Sequence, residues 1–194
     1  MTNTIDIKTL HKNKTVCFTG PRAKKLCGWK HEPYQLLIDG LVDTIICLAQ
    51  QGYENFITGG AQGFDQLAFW TVHKAKTKHG CKIKNIVFVP FEGQDSVWGE
   101  DGCFGRKEYR LMLKLADGIH VCGPKDNNIS RRLMLRNHTM VNASGLVVAL
   151  YGNGDGYKTA TSGGTEACMK YADARNVPIM MLGYDIHNGI LELR

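Results

Sequence analysis

The chain has 194 residues, of which 43% are hydrophobic and 22% charged, so it is long enough for one ordinary domain and too apolar to be intrinsically disordered. Lys and Arg number 24 against 18 Asp and Glu, a net charge of +6; this mild excess admits an anionic ligand or a weak nucleic-acid contact and establishes neither. No run nears the ~20 apolar residues of a membrane span, no apolar stretch of signal-peptide type opens the chain, and seven cysteines without a CxxC pair point to a reducing, cytoplasmic setting rather than a zinc or disulfide framework.

In chain order, residues 1–13 read as a polar N-terminal extension. Lys8, Lys12, Lys14, Arg22, Lys24, Lys25 and Lys30 stand against only Asp6 and Glu32, a solvated face or an anion contact. The apolar run 15–19 is the first strand. Residues 33–51 open on Pro33, stop before Gly52 and carry the stripe Leu37, Leu41, Ile45, Leu48, which predicts a helix. A strand at 55–58 leads into a helix over 64–78 with Phe64, Leu67, Ala68, Thr71, Val72 and Ala75 on its apolar side. Further strands are expected at 84–89, 119–122, 146–151 and 178–182, and further helices at 105–116, 130–143 and 164–175.

The strand runs are continuous rather than alternating, as in strands covered on both faces. Strands alternating with helices predict an α/β fold: one Rossmann-like, doubly wound, mostly parallel sheet of about six strands, with helices on both faces and no second domain. Ligands of such sheets bind beyond the carboxyl ends of the strands, where the strand order reverses. That is where the glycines concentrate. Glycine makes up 22 of 194 residues, about 11% against a norm of about 7%, and most follow strands.

After the first strand, Gly20 can turn sharply and Arg22 can hold a phosphate or carboxylate. After the second, Gly59, Gly60 and Gly63 lead straight into a helix whose bare N–H groups form an anion site; Asp65 there either caps N–H groups or accepts from a ribose hydroxyl. The long loop 90–105 reads as a lid in which Phe91 or Trp98 stacks on a base or packs internally. In the helix before the fifth strand, Arg136 and Asn137 face the cleft or solvent. Ser162, Gly163, Gly164 and Thr165 make a second phosphate cradle at a helix start, with Glu166 in the first turn, suited to the helix dipole or to acid/base work. The spacing is neither that of a Walker loop nor GxGxxG, and neither a nucleophile elbow nor a metal-ligand set stands out.

Taken together, CFTGPRAKKLCG (17–28), ITGGAQGFDQLA (57–68), PFEGQ with Trp98 (90–98), RNHTMV (136–141) and SGGTEACMKYA (162–172) resemble the SLOG superfamily, the Rossmann-like group of the DprA and LOG proteins, and most closely its YpsA-like branch of small bacterial and phage proteins. The resemblance implies a cleft for nucleotide-derived ligands of ADP-ribose or NAD type, no required cofactor, and a homo-oligomer such as a dimer. Carried over by position, it places the ligand on Gly20, Arg22, Gly59, Gly60, Gly63, Asp65, Gly163, Gly164 and Thr165; the reading of the loops above adds Asn137, Ser162 and Glu166. The LOG hydrolases carry a catalytic Arg in an Arg-Lys pair and a catalytic Glu in GTxxE. Here Arg136 matches the Arg, Asn137 replaces the Lys, and Cys168 stands where the Glu belongs. Glu166 is two residues early, about 200° away around a helix.

The leading expectation is therefore a sensor or carrier of a nucleotide-derived ligand. The alternative is an N-glycosidic phosphoribohydrolase using Arg136, Glu166 and Asp65. DprA-like binding of single-stranded DNA is a minor third, resting only on the charge and the basic N-terminal region.

Overall fold

A computed structural model describes residues 3–123, 128–152, 154–161 and 163–193. Six parallel strands form one sheet: β1 (Thr15–Thr19), β2 (Asn55–Thr58), β3 (Lys84–Val89), β4 (Gly118–Val121), β5 (Leu146–Leu150) and β6 (Ile179–Leu182). Their order is β4-β3-β2-β1-β5-β6. The chain works outward from β1 to one edge, then returns beside β1, so the order reverses between β1 and β5.

Five helices connect these strands: α1 (Gln35–Gln50), α2 (Phe64–His79), α3 (Arg106–Leu115), α4 (Ile129–Ala143) and α5 (Gly164–Ala174). They cover both faces, as expected. Because side chains alternate along a strand, Val16 and Phe18 of β1 and Val148 of β5 pack under α1 and α2, against Leu37, Leu41, Ile45, Leu48, Phe64, Leu67 and Val72. Their neighbours Cys17 and Val147 turn the other way, onto Met140 and Val141 of α4 and Cys168 and Ala172 of α5. A third cluster seats Tyr109 and Met112 of α3 on Phe69, Val87 and Val89.

Two additions were not expected from the sequence. The N-terminal extension is not wholly solvated: Thr4 bridges Ile119 in parallel, with Ile5 N–H donating to Ile119 O at 3.1 Å, so it lengthens the β4 edge. The C-terminal residues form an antiparallel hairpin, β7 (Tyr184–His187) with β8 (Ile190–Leu193). Its two-residue turn is Asn188-Gly189, both with positive φ (51° and 78°), the type I′ geometry that Asn-Gly favours. Leu193 of β8 packs against α1 at Gly40.

Candidate functional site

A cleft of about 640 Å³ opens at the carboxyl ends of β1 and β5, within the range of small-molecule sites. It is lined by the β1 loop with Gly20, Arg22 and Lys25, by Asp65, by α4 with Arg136 and Asn137, and by the first turn of α5 with Gly163, Gly164, Thr165 and Glu166. Ser162 lies outside the described residues. Leu133, Met134, Tyr151 and Tyr184 also line the cleft. The sequence reading missed all four: Tyr151 was assigned to a strand end, and Tyr184 begins the overlooked hairpin.

Gly59, Gly60 and Gly63 do not line the cleft, and the loop that carries them is not an open phosphate cradle. Its glycines serve close packing. A β-carbon on Gly59 would collide with the guanidinium of Arg136, and one on Gly63 (φ 107°) would sit 2.6 Å from the Ala23 nitrogen and the Pro21 oxygen. The two loops are zipped together there: Arg22 bridges Gly63 in antiparallel fashion, and Phe64 N–H donates to Pro21 O at 3.1 Å. A β-carbon on Gly20 would in turn collide with the Phe64 side chain. The loop's remaining anion position is taken by Asp65, which accepts from Ala61 N–H at 3.3 Å.

Arg136 is 4% exposed and Asp65 8%, a buried charge pair at 3.2 Å. The same Arg136 nitrogen donates to Gly59 O. Its Nε has no hydrogen-bond partner among the described residues, and buried donors are rarely left so. Arg22 is exposed at the mouth, yet its pKa lies below the usual arginine value; desolvation is the main cause, with Arg136 acting in the same direction and Asp65 opposing it. The three charges therefore share one field.

At α5, Gly163 is the N-cap, without a side-chain capping bond. The first intrahelical bond runs from Ala167 N–H to Gly163 O, so the N–H groups of Gly164, Thr165 and Glu166 have no intrahelical partner. Asn137 steadies this turn by donating to Gly164 O at 3.4 Å. Glu166, the third helical residue, folds back so that its carboxylate fills the space a β-carbon on Gly163 would take, the placement of a capping-box glutamate. Desolvation chiefly raises the pKa of Tyr184, with smaller contributions from Cys27, Glu166 and Tyr151; Tyr184, Glu166 and Tyr151 line the same cleft.

Cys168 is buried beneath α5, not in the cleft. Burial pushes its thiol up to about 11, against the lowering effects of a hydrogen bond with Thr19 and of Arg136. It is therefore a neutral packing group near pH 7. Loop 90–105 is not an open lid. Arg106 donates to the carbonyls of Asp95 (3.3 Å), Ser96 (2.8 Å) and Trp98 (3.1 Å). Trp98 stacks edge-on with Tyr109 at 5.0 Å, and Phe91 lies under the Arg132 guanidinium; neither aromatic lines the cleft. Away from the cleft, His31, Cys103 and Glu108 bring three potential metal-ligand atoms together. No helix among the described residues is long and apolar enough to cross a membrane.

The sequence matches the family described as the YspA SLOG family (YpsA) over residues 16–186. YoqJ, an SPbeta prophage-derived protein of Bacillus subtilis strain 168, is 38% identical over 135 residues, which cover 64% of this chain and 72% of that one. Among solved structures, DNA processing protein A (DprA) from Streptococcus pneumoniae aligns with a TM-score of 0.53 at 16% identity, over 95% of this chain and 54% of that one. DprA from Helicobacter pylori, described for its single-stranded DNA binding mode, aligns with a TM-score of 0.57 at 18% identity, over 91% of this chain and 68% of that one. At such identities these two likenesses show the fold alone. The chain spans about half the length of the S. pneumoniae structure.

Proposed function

Because the chain belongs to the YspA SLOG family, we propose that the cleft between β1 and β5 binds a small nucleotide-derived ligand of ADP-ribose, NAD or nucleoside-phosphate type. The phosphate sits at the first turn of α5, where the N–H groups of Gly164 and Thr165 and the positive end of the helix dipole favour an anion. Arg22 and Lys25 neutralise it from the mouth. The base lies along Leu133, Met134, Tyr151 and Tyr184, an apolar wall with two aromatic rings. The observation that carries this reading is the lining of one cleft by a buried arginine, Arg136, whose Nε has no partner among the described residues, and by the uncapped start of α5.

Binding is favoured over turnover. Asp65 is engaged by Arg136 and Ala61, Glu166 is folded over Gly163, and the position of the hydrolases' glutamate is the buried Cys168. The protein then acts as a sensor or carrier, as a homodimer. Native mass spectrometry of the purified protein tests this: a co-purifying nucleotide mass supports it. The absence of any such mass, together with no calorimetric binding of ADP-ribose, AMP or NAD at millimolar concentration, refutes it.

The DprA likeness gives a second reading, in which the cleft mouth takes single-stranded DNA. An oligonucleotide that binds with a steep salt dependence, while mononucleotides do not bind, favours that reading.

A further inference from the structure

We propose that His31, Cys103 and Glu108 form a divalent-cation site of the zinc class, a cross-link between three chain segments that stands apart from the cleft. The imidazole nitrogen, thiol sulfur and carboxylate oxygen all lie within 4.8 Å of one another. His31 precedes the short helical turn that enters α1, Cys103 belongs to the long loop after β3, and Glu108 is in the first turn of α3. None of the three lines the cleft. In sequence His31 and Cys103 are far apart, so no spacing motif announces the group.

The donor set selects the ion. One imidazole, one thiolate and one carboxylate form a borderline set that suits Zn²⁺ and its probe Co²⁺, while Mg²⁺ and Ca²⁺ seek oxygen alone. In a tetrahedral zinc site the ligand atoms stand about 3.4–3.6 Å apart. His31 is exposed and Glu108 half-buried, so side-chain rotation can bring them onto the fixed, 2% exposed Cys103. Glu32 adds a further carboxylate near Cys103, and it or a water can fill the fourth position.

The surroundings are arranged as a cation's would be. Glu108 accepts from Phe104 N–H through one oxygen at 2.6 Å, which orients the carboxylate and leaves its other oxygen for a metal, the usual division of labour around a ligand. The nearest cations of α3 pair elsewhere: Arg106 with Glu100 at 3.3 Å and Lys107 with Asp101 at 2.7 Å. A buried thiol flanked by carboxylates thus has only His31 as a basic neighbour in the cluster. The bound ion would pin loop 90–105 to the entry of α1. Phe104 already packs on Tyr34 with ring centroids 5.5 Å apart and accepts from Gln62 of the second glycine loop at 3.0 Å.

The test is a Co²⁺ titration of the chelator-treated full chain, read by the thiolate-to-cobalt charge-transfer band and the d–d bands of tetrahedral cobalt. The expected result is saturation at one equivalent and displacement by Zn²⁺. Cys103→Ser abolishes the charge-transfer band, and His31→Ala weakens Co²⁺ binding about tenfold or more. His31 is exposed, so its variant keeps the native far-ultraviolet dichroism and the test holds even where Cys103→Ser folds poorly. Absence of the band in the wild type, or a band and affinity unchanged by His31→Ala, overturns the proposal.

Discussion

Gly59→Ala isolates the packing that holds the cleft's buried arginine. A β-carbon at Gly59 would overlap the guanidinium of Arg136 and lie 2.6 Å from the Asp65 carboxylate. The Gly59 backbone is not in the left-handed region, so the effect is steric and not one of backbone strain. Room for the methyl exists only if Arg136 leaves its place, which breaks its bond to Gly59 O and its 3.2 Å pair with Asp65. Asp65 then keeps one Ala61 N–H at 3.3 Å in an 8% exposed position. Breaking a buried ion pair from one side costs about 3–5 kcal/mol, a large share of a typical total of about 5–15 kcal/mol. For a domain of this size that is a fall in Tm of about 6–20 °C. Urea and thermal unfolding of Gly59→Ala measure it. In the Arg136→Met background the main collision is gone, so the same Gly59→Ala change should cost less than about 1 kcal/mol, a strongly non-additive cycle. A single variant within about 0.5 kcal/mol of wild type, or an additive double variant, refutes the reasoning.

Other outcomes follow from the same geometry. Glu166→Gln removes a carboxylate folded over the start of α5 and should tighten ADP-ribose binding by about two- to fivefold, the worth of about 0.5–1 kcal/mol at a helix terminus; weaker binding, measured by calorimetry, counts against Glu166 as a mere cap. The buried Cys168 thiol is pushed up to about 11 and Cys122 to about 12, each mainly by burial. The native state thus holds protons that the unfolded chain releases near pH 9, so stability is complete below pH 9 and falls as pH rises toward 11. Urea midpoints constant from pH 8 to pH 11 contradict this. Gly189→Val places a branched side chain at φ 78° in the hairpin turn and should cost about 1–3 kcal/mol; it should also loosen Tyr184 and weaken ligand binding, and a variant as stable as wild type contradicts the turn assignment.

The sheet was legible because its strands are continuous apolar runs. The predicted runs at 15–19, 55–58 and 84–89 coincide with β1, β2 and β3; those at 146–151 and 178–182 differ from β5 and β6 by one residue at one end, and that at 119–122 is shifted by one residue from β4. The stripe Leu37, Leu41, Ile45, Leu48 likewise faces the core. The hairpin was missed although its signal is local: Asn188-Gly189 between two short apolar-polar stretches marks a type I′ turn. The β1 loop and the start of α5, both read as ligand loops, line one cleft in the structure. Gly59, Gly60 and Gly63, read as ligand-facing, instead lie outside the cleft lining and pack against the protein itself. Composition cannot tell a glycine that leaves room for a phosphate from one that leaves room for the protein's own arginine. That distinction depends on Arg136, 77 positions away in sequence. The same limit hid the grouping of His31 with Cys103 and Glu108.

The central claim is that the cleft at the β1/β5 crossover holds a nucleotide-derived ligand by its phosphate. Calorimetric titration with ADP-ribose tests it most directly, comparing wild type with Arg22→Ala, an exposed change at the mouth. The account predicts saturable one-to-one binding in the wild type and a loss of about tenfold in the variant, the worth of one charge-assisted contact of about 1.5 kcal/mol. No binding by the folded wild type at millimolar ADP-ribose, AMP or NAD, or equal affinity in the variant, contradicts it.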